Sequence, residues 1–193
     1  MSLVTSRRLA HHRFASRARV GALLATALLA LFATRPERAL AKTFTVDVST
    51  DAKNPDGNDG DCTLREAIIN ASQNANNTPT TYADCPAGDP DPTVDVINFS
   101  VNNVTLAQDA DEIFVASNLS SGPIEINGNV TIDGGGQARS KRIFRTIGDS
   151  DHTVKIVGLT FQNAWDGGGG AILNTGTSLI FQGVLFQDNK AIS

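Results

Sequence analysis

The chain has 193 residues, of which 40% are hydrophobic, so it can bury one ordinary core, and a long disordered tail is not expected. Seven of its 16 basic residues fall within the first 41 positions beside a single acid, so the rest of the chain is strongly acidic. An acidic body repels phosphate backbones, which excludes a nucleic-acid partner.

The first 41 residues have the pattern of a secretory signal peptide. A basic stretch precedes the uncharged run Val20–Ala33, and the segment closes on Ala39-Leu40-Ala41. The run is shorter than the roughly 20 apolar residues of a membrane-spanning helix, and the small residues suit signal peptidase. We expect cleavage between Ala41 and Lys42, export, and no transmembrane helix in the mature chain. An uncleaved anchor or a cytosolic amphipathic helix is the alternative.

The mature chain begins with alternating polar and apolar residues over Thr43–Val48, which predicts a half-buried strand. The segment Ser49–Asp61 is rich in Asp, Asn and Gly and predicts a loop. Thr63 and Glu66 then have the spacing of a capping box, in which each side chain accepts a hydrogen bond from the other residue's amide. A short helix therefore begins here. Its apolar stripe comprises Leu64, Ala67, Ile68 and Ala71.

Two cysteines, Cys62 and Cys85, flank this helix. In an oxidising compartment, two cysteines with no further cysteine or histidine cluster favour a disulfide over a metal site, and the closed loop stabilises the fold by about 3 kcal/mol. Two free buried thiols are the alternative. His152, the one histidine left after cleavage, falls in a polar run and is expected to be a solvated loop residue.

From Val94 onward, short apolar segments alternate with Gly, Asn, Asp and Ser, which predicts strands separated by turns. The run Gly167–Gly170 predicts a corner before a strand at Ala171–Asn174, with a flexible linker as the alternative. The other predicted strands are Val94–Phe99, Val104–Leu106, Ile113–Val115, Ile124–Ile126, Val130–Ile132 and Ile143–Phe144.

The C-terminal part of the chain is self-similar. Val154–Gln162 repeats as Leu179–Gln187, and Ile124–Ile132 fits the same pattern with one extra residue after its glycine. A period of about 25 residues indicates a solenoid and leaves no room for a helix in each repeat. We predict an all-β fold, a parallel β-helix of about four coils over residues 93–193, with an N-terminal cap over residues 42–92.

The segment around the capping box resembles a known family signature. Asp61–Ile68 (DCTLREAI) resembles the CSLREA signature of bacterial exported right-handed β-helix proteins, including polymorphic outer-membrane-type repeat proteins, with Thr63 in place of the serine. The resemblance implies a right-handed β-helix, an extracellular or outer-membrane location, and structural roles for Arg65 and Glu66. It implies no activity, because such proteins are mostly presumed surface or secreted proteins. Further resembling segments are Asp95–Phe99, Val130–Gly136, Gly158–Phe161 and Gly169–Ile172.

The chain stops where the repeat would next supply its Gly-Gly-Ala-Ile element. A solenoid end without a polar capping repeat exposes stacked apolar side chains, which soluble monomers rarely tolerate. We therefore expect the sequence to be a fragment of a longer protein.

The acidic residues do not form a recognisable catalytic or metal site. Glycoside hydrolysis needs two carboxylates about 5 to 9.5 Å apart, and no two acids recur at the repeat spacing that would stack them. The loop Asp51–Asp61 carries oxygen ligands suited to calcium but departs from the EF-hand pattern, so we interpret it as a solvated acidic loop, with a bound cation as the alternative. We predict no catalytic residue, cofactor or metal. The acids considered for catalysis are Asp133, Asp149, Asp151, Asp166 and Asp188.

Together these patterns predict an exported, non-enzymatic β-helix protein that is surface-displayed or secreted and has an adhesion or structural role. Glycans or other cell-surface molecules are the expected partners. The alternative is a carbohydrate-active β-helix enzyme, a polysaccharide lyase or glycoside hydrolase, whose catalytic coils lie beyond Ser193.

Overall fold

The computed structural model describes residues 41–51, 59–73, 82–88, 93–108, 110–117, 122–136, 141–148, 153–168 and 170–191. The predicted signal peptide lies outside these ranges except for Ala41. The described chain is mostly strand, and every strand pair in it is parallel. The prediction of an all-β parallel fold is therefore confirmed.

The described elements form an N-terminal segment followed by four repeats. The N-terminal segment contains β1 (Thr43–Val46), β2 (Thr50–Asp51) and helix α1 (Leu64–Gln73). Repeat 1 contains β3 (Asp95–Phe99), β4 (Asn103–Leu106) and β5 (Ile113–Ser117), and repeat 2 contains β6 (Ile124–Asn127), β7 (Thr131–Asp133) and β8 (Phe144–Gly148). Repeat 3 contains β9 (Thr153–Val157), β10 (Thr160–Gln162), β11 (Trp165–Asp166) and β12 (Ile172–Thr175). Repeat 4 contains β13 (Ser178–Gln182), β14 (Leu185–Gln187) and β15 (Lys190–Ala191).

Strands of successive repeats pair side by side in chain order. The first sheet has the order β1-β3-β6-β9-β13 and the second β2-β4-β7-β10-β14. The third sheet is β5-β8-β12, and the fourth is the pair β11-β15. Each repeat contributes one strand to the first sheet and the next to the second, so each repeat pairs with the one before it and the one after it.

The repeat period seen in the sequence matches the spacing of the residues that pair between neighbouring strands. Leu179 pairs with Val154 and Phe186 with Phe161, so the last two repeats have the same spacing in both sheets. One repeat earlier the spacing is longer, and it is one residue longer in the first sheet than in the second. The first-sheet spacing is longer by one residue because repeat 2 has one extra residue after Gly128, between its first-sheet and second-sheet strands.

In-register pairing stacks apolar side chains of the same kind into columns. The first four members of the column in the first sheet are fully buried, whereas the last, Phe181, is 45% exposed. Full burial of a side chain of this size stabilises the fold by about 1.5–3 kcal/mol, so the columns make a large contribution to the core. The first-sheet column is Phe44, Ile97, Ile126, Ile156 and Phe181, and the second-sheet column is Val104, Ile132, Phe161 and Phe186.

Helix α1 begins at the predicted capping box. The Thr63 amide donates to Glu66 Oε2 (2.9 Å), and the Glu66 amide donates to Thr63 Oγ1 (3.2 Å). The predicted stripe of Leu64, Ala67, Ile68 and Ala71 is fully buried, and the helix packs against β1, β3 and β5. The helix therefore covers the N-terminal side of the stacked strands.

The prediction of a loop over Ser49–Asp61 is wrong at its start. Thr50 and Asp51 form β2, which pairs in parallel with Thr105 and Leu106 of β4. Turn-forming residue types favour a loop here, but the free edge of β4 offers backbone partners that override this local preference.

Gly158 lies at a corner where two repeats approach closely. Its φ is 71°, in the left-handed region that favours glycine, and a Cβ at this position would lie 2.5 Å from the Gly128 carbonyl oxygen. Gly183 occupies the same position one repeat later with a φ of 63°, but a Cβ there would meet nothing within 4 Å. The two glycines thus share a conformation and differ in their neighbours.

We expect Gly158→Ala to lower the free energy of unfolding by about 2–4 kcal/mol, because it adds a clash with Gly128 to the backbone strain. Gly183→Ala is the matched control and should cost only the strain, about 1–2 kcal/mol. Urea unfolding of both variants measures the difference. Equal losses would show that the contact with Gly128 has no energetic weight.

We expect Thr63→Ala to lower the free energy of unfolding by about 1 kcal/mol, because the Glu66 amide loses its acceptor. Thr63→Ser keeps the hydroxyl and should remain within about 0.5 kcal/mol of the wild type. Thermal and urea unfolding measure both. A serine variant as unstable as the alanine variant would contradict the capping role of the hydroxyl.

Candidate functional site

Cys62 and Cys85 form a disulfide, which confirms the predicted pairing. The bond joins the residue before the capping box to the segment that follows α1. Asn70 of α1 holds the same segment, because its side-chain amide donates to the carbonyls of Tyr82 (2.8 Å) and Cys85 (3.1 Å). The Tyr82 amide in turn donates to Asn70 Oδ1 (3.3 Å). Disulfide and amide together fix this segment against the helix.

Asp51 and Arg65 form a buried ion pair between β2 and α1. Arg65 Nη2 lies 2.8 Å from Asp51 Oδ2, and Arg65 Nε donates to the same oxygen at 3.0 Å. The backbone amide of Arg65 donates to Asp51 Oδ1 at 2.8 Å. Asp51 occupies an inward position paired with Leu106, where most strands carry an apolar residue. Burial raises the pKa of Asp51, while the charge and hydrogen bonds of Arg65 act against that shift.

The same guanidinium reaches from the helix to repeat 1. Arg65 Nη2 donates to the Asp111 carbonyl (2.7 Å), and Nη1 donates to the Glu112 carbonyl (3.2 Å). These two carbonyls lie directly before β5. Arg65 therefore fixes the backbone at the start of β5.

A groove of about 440 Å³, which we call the charged groove, opens beside the third sheet. Its walls come from β5 and the residues that precede it, from the residues that precede β8, and from β11, so repeats 1, 2 and 3 each contribute. The volume is within the usual range for small-molecule sites. The lining residues are Asp111, Glu112, Phe114, Lys141, Arg142 and Asp166.

Arg142 lies between two carboxylates of the charged groove. Its Nη1 donates to Glu112 Oε2 at 2.7 Å, and its Nη2 makes an ion pair with Asp166 Oδ1. Asp166 Oδ1 also accepts from the Gly168 amide at 3.0 Å. Arg142 therefore occupies one oxygen of each carboxylate, so Glu112 and Asp166 are tied to each other through a guanidinium and do not face each other across a free space, as the two acids of a glycoside hydrolase do.

Arg145 connects the ion-paired part of the groove to its aromatic part. It is the partner of Phe114 in the register of β5 and β8, and its guanidinium carbon lies 5.5 Å from the Phe114 ring centroid. Arg145 Nη1 also lies 3.5 Å from Glu112 Oε1. Lys141 Nζ donates to the carbonyls of Gln108 and Ala110, so this lysine is anchored on backbone.

Of the acids considered for catalysis that the structure describes, only Asp166 lies in the charged groove. Asp133 has a structural role, because its carboxylate accepts from the Gly135 amide (2.7 Å) and from the side chains of Gln162 and Asn163. Asp188 lies in the turn after β14 with a φ of 52°. Asp149, Asp151 and His152 fall outside the described residues.

Asp51 is not part of a solvated acidic loop, which corrects that interpretation at its first residue. It is fully buried, and Arg65 occupies its carboxylate. Asp59 accepts a hydrogen bond from the Asp61 amide within its own turn (3.0 Å). Asn54, Asp56 and Asn58 fall outside the described residues. Within the described ranges, no group of three or more His, Cys, Asp and Glu side chains could hold a metal ion.

Comparisons with protein-family models, with curated proteins and with solved structures found no match to this chain. Among the residues that the structure describes, no helix has the length and apolar character needed to cross a bilayer.

Apart from Asp166, the residues of the charged groove were missed by sequence reasoning, although the sequence carries a signal for them. A charged dipeptide precedes isoleucine in two repeats, acidic at Asp111-Glu112 and basic at Lys141-Arg142. Stacking of the repeats brings these opposite charges together. Phe114 is likewise an aromatic residue at an outward position of a predicted strand, where a polar residue is usual.

We expect Asp51→Asn to lower the free energy of unfolding by about 3–5 kcal/mol, because it leaves Arg65 buried without its counter-charge. Glu125→Gln is the matched control: Glu125 pairs with Lys155 at 3.1 Å, but both side chains are partly exposed, so the loss should be below about 1 kcal/mol. Urea unfolding compares the two. Similar losses in the free energy of unfolding would contradict the larger contribution of the buried ion pair.

Proposed function

We propose that this chain is an exported, non-enzymatic protein whose repeats wind as a right-handed parallel β-helix. The observation that carries the proposal is the stacking of inward side chains through parallel strands that follow chain order in every sheet. Such stacking suits a coil that advances by one strand spacing, about 4.8 Å, per repeat. The right-handed sense rests on the resemblance to CSLREA proteins and on the strong preference for right-handed crossovers between parallel strands.

A short N-terminal cap over residues 42–92 fits the same proposal. A solenoid needs its first coil covered, because otherwise the stacked apolar layer meets water. Helix α1 lies at that end with its apolar stripe fully buried, and the Arg65–Asp51 pair joins it to β2. Residues 93–193 then form the coils.

Export is supported by the order of elements around the predicted cleavage site. Strand β1 begins at Thr43, directly after Lys42, and the Lys42 carbonyl already accepts from the Val96 amide at 2.8 Å. Cleavage after Ala41 would therefore leave the first strand complete. The Cys62–Cys85 disulfide suits an extracellular or outer-membrane location, where the compartment is oxidising.

A binding or structural role is better supported than hydrolysis. Two carboxylates of the charged groove, those of Glu112 and Asp166, are engaged by Arg142, and the Asp133 carboxylate accepts hydrogen bonds within the fold. An elongated stack of repeats presents a long outer face, which is suited to adhesion to glycans or other cell-surface molecules. We therefore favour surface display or secretion over a carbohydrate-active enzyme.

Expression of the full chain in a bacterial host, followed by fractionation and mass spectrometry, tests export. We expect the protein outside the cytoplasm with Lys42 at its N-terminus, because signal peptidase requires the small residue at Ala41. Ala41→Arg is the control and should leave the leader attached. Recovery of the wild-type chain in the cytoplasm with its leader intact would contradict the proposal.

Incubation of the exported protein with pectin and related polysaccharides tests the non-enzymatic part of the proposal. We expect no release of reducing ends and no unsaturated products. Depolymerisation that persists through purification and is lost in an Asp166→Asn variant would favour the enzyme instead.

A further inference from the structure

We propose that the charged groove is a binding site for an uncharged pyranose ring, with Phe114 as its stacking platform. The inference rests on the proposed function as an exported adhesion protein and names the ligand class and the residues. Four features of the groove carry it: an outward aromatic ring, an arginine that holds the ring, charged groups that already have partners, and a wall whose backbone is bound by Arg65 of helix α1.

Phe114 lies on the outer face of β5. Its neighbours Ile113 and Val115 are fully buried, as expected from strand alternation, while Phe114 is 44% exposed. An aromatic ring at an outward position loses hydrophobic stabilisation unless something covers it. The ring offers a flat apolar surface at the edge of a polar groove, which suits a ligand with one apolar face and a polar rim.

Arg145 holds this ring in place. Its guanidinium carbon lies 5.5 Å from the Phe114 centroid, and its Nη1 lies 3.5 Å from Glu112 Oε1. The cation–π contact and the ion pair together restrict the ring, so little conformational freedom remains to be lost on binding.

Glu112, Asp166, Arg142 and Lys141 of the groove already have partners within the protein. Glu112 binds both Arg142 and Arg145, Asp166 binds Arg142, and Lys141 is anchored on two backbone carbonyls. A charged ligand that binds at Arg142, Glu112 or Asp166 would have to break one of these ion pairs and leave a charged side chain without its partner, which is costly at partly buried positions. A neutral ligand avoids that cost.

Hydroxyl groups fit this arrangement. A hydroxyl both donates and accepts, so the rim of a pyranose can donate to the carboxylate lone pairs that the ion pairs leave available and accept from guanidinium N–H groups. The C–H face of the same ring can lie on Phe114. A sugar in its closed-ring form has both features, an apolar C–H face and a rim of hydroxyl groups.

Helix α1 also holds one wall of the groove in place. Arg65 of α1 donates to the carbonyls of Asp111 and Glu112, so this helix sets the position of the wall that carries the Glu112 carboxylate. A binding site whose polar groups are held by such contacts needs little rearrangement.

The chain's one tryptophan lies next to the groove and offers a spectroscopic signal close to it. Trp165 precedes Asp166 in β11, and its amide donates to the Lys141 carbonyl at 2.9 Å. We would titrate the purified full chain with the methyl glycosides of glucose, galactose, mannose and N-acetylglucosamine. Tryptophan fluorescence and saturation-transfer NMR would follow binding, with glucitol and galacturonate as comparison ligands.

We expect at least one neutral glycoside to bind with a dissociation constant of about 1 mM, and glucitol and galacturonate to bind about tenfold more weakly or not at all. Phe114→Leu should weaken binding about tenfold, while Phe114→Tyr should retain it. Phe181→Leu is the matched control, because Phe181 is 45% exposed but lies in repeat 4 away from the groove, and it should bind like the wild type.

Several results would overturn the inference. Preferred binding of galacturonate would make the groove an anion site, and equal binding of glucitol would remove the role of the ring face. No binding of any neutral glycoside up to about 50 mM by protein with a wild-type circular dichroism spectrum would end it. None of these results affects export with Lys42 at the N-terminus. Conversely, sugar binding by a protein retained in the cytoplasm would leave this site standing and reject the proposed function.

Discussion

The structure depends on one constraint, which is that each inward side chain must lie over a matching side chain of the neighbouring repeat. Parallel pairing enforces this, because the backbone hydrogen bonds of one repeat fix the register of the next. Phe161 thus lies between Ile132 and Phe186, and its ring stacks on that of Phe186 with centroids 5.5 Å apart. The glycine corners serve the same constraint, since a side chain at Gly158 would separate the repeats that the columns hold together.

The N-terminal end satisfies the constraint differently. There Asp51 of β2 occupies the inward position that pairs with Leu106 of β4. A charged residue is stable in the interior at this point because Arg65 donates to it from three groups, its backbone amide, Nε and Nη2. Arg65 and Glu66 of the CSLREA-like segment thereby have separate structural tasks. Glu66 closes the first turn of the helix, and Arg65 fastens the helix to β2 and to repeat 1. The resemblance implied such roles, and the contacts supply a physical reason for them.

Much of this arrangement could be predicted from the sequence, because local patterns determine it. Alternation predicted β1 and most later strands, the recurrence of Val154–Gln162 predicted the register, and the spacing of Thr63 and Glu66 predicted the helix start. Strand β2 and the burial of Asp51 could not be predicted, since both depend on partners that fold back from distant positions. The charged groove was missed because its residues do not recur at the period that reveals the repeat.

The unequal spacing of the repeats has an evolutionary consequence. In the first sheet, Ile97 pairs with Ile126, Ile126 with Ile156, and Ile156 with Phe181, so the length of chain between paired positions changes from one repeat to the next. The third sheet shows the same inequality. The strands stay in register throughout, so the additional residues are absorbed in the connections between strands. Insertions and deletions at the connections can therefore change the surface chemistry of the protein. They leave unaltered the interior on which folding depends.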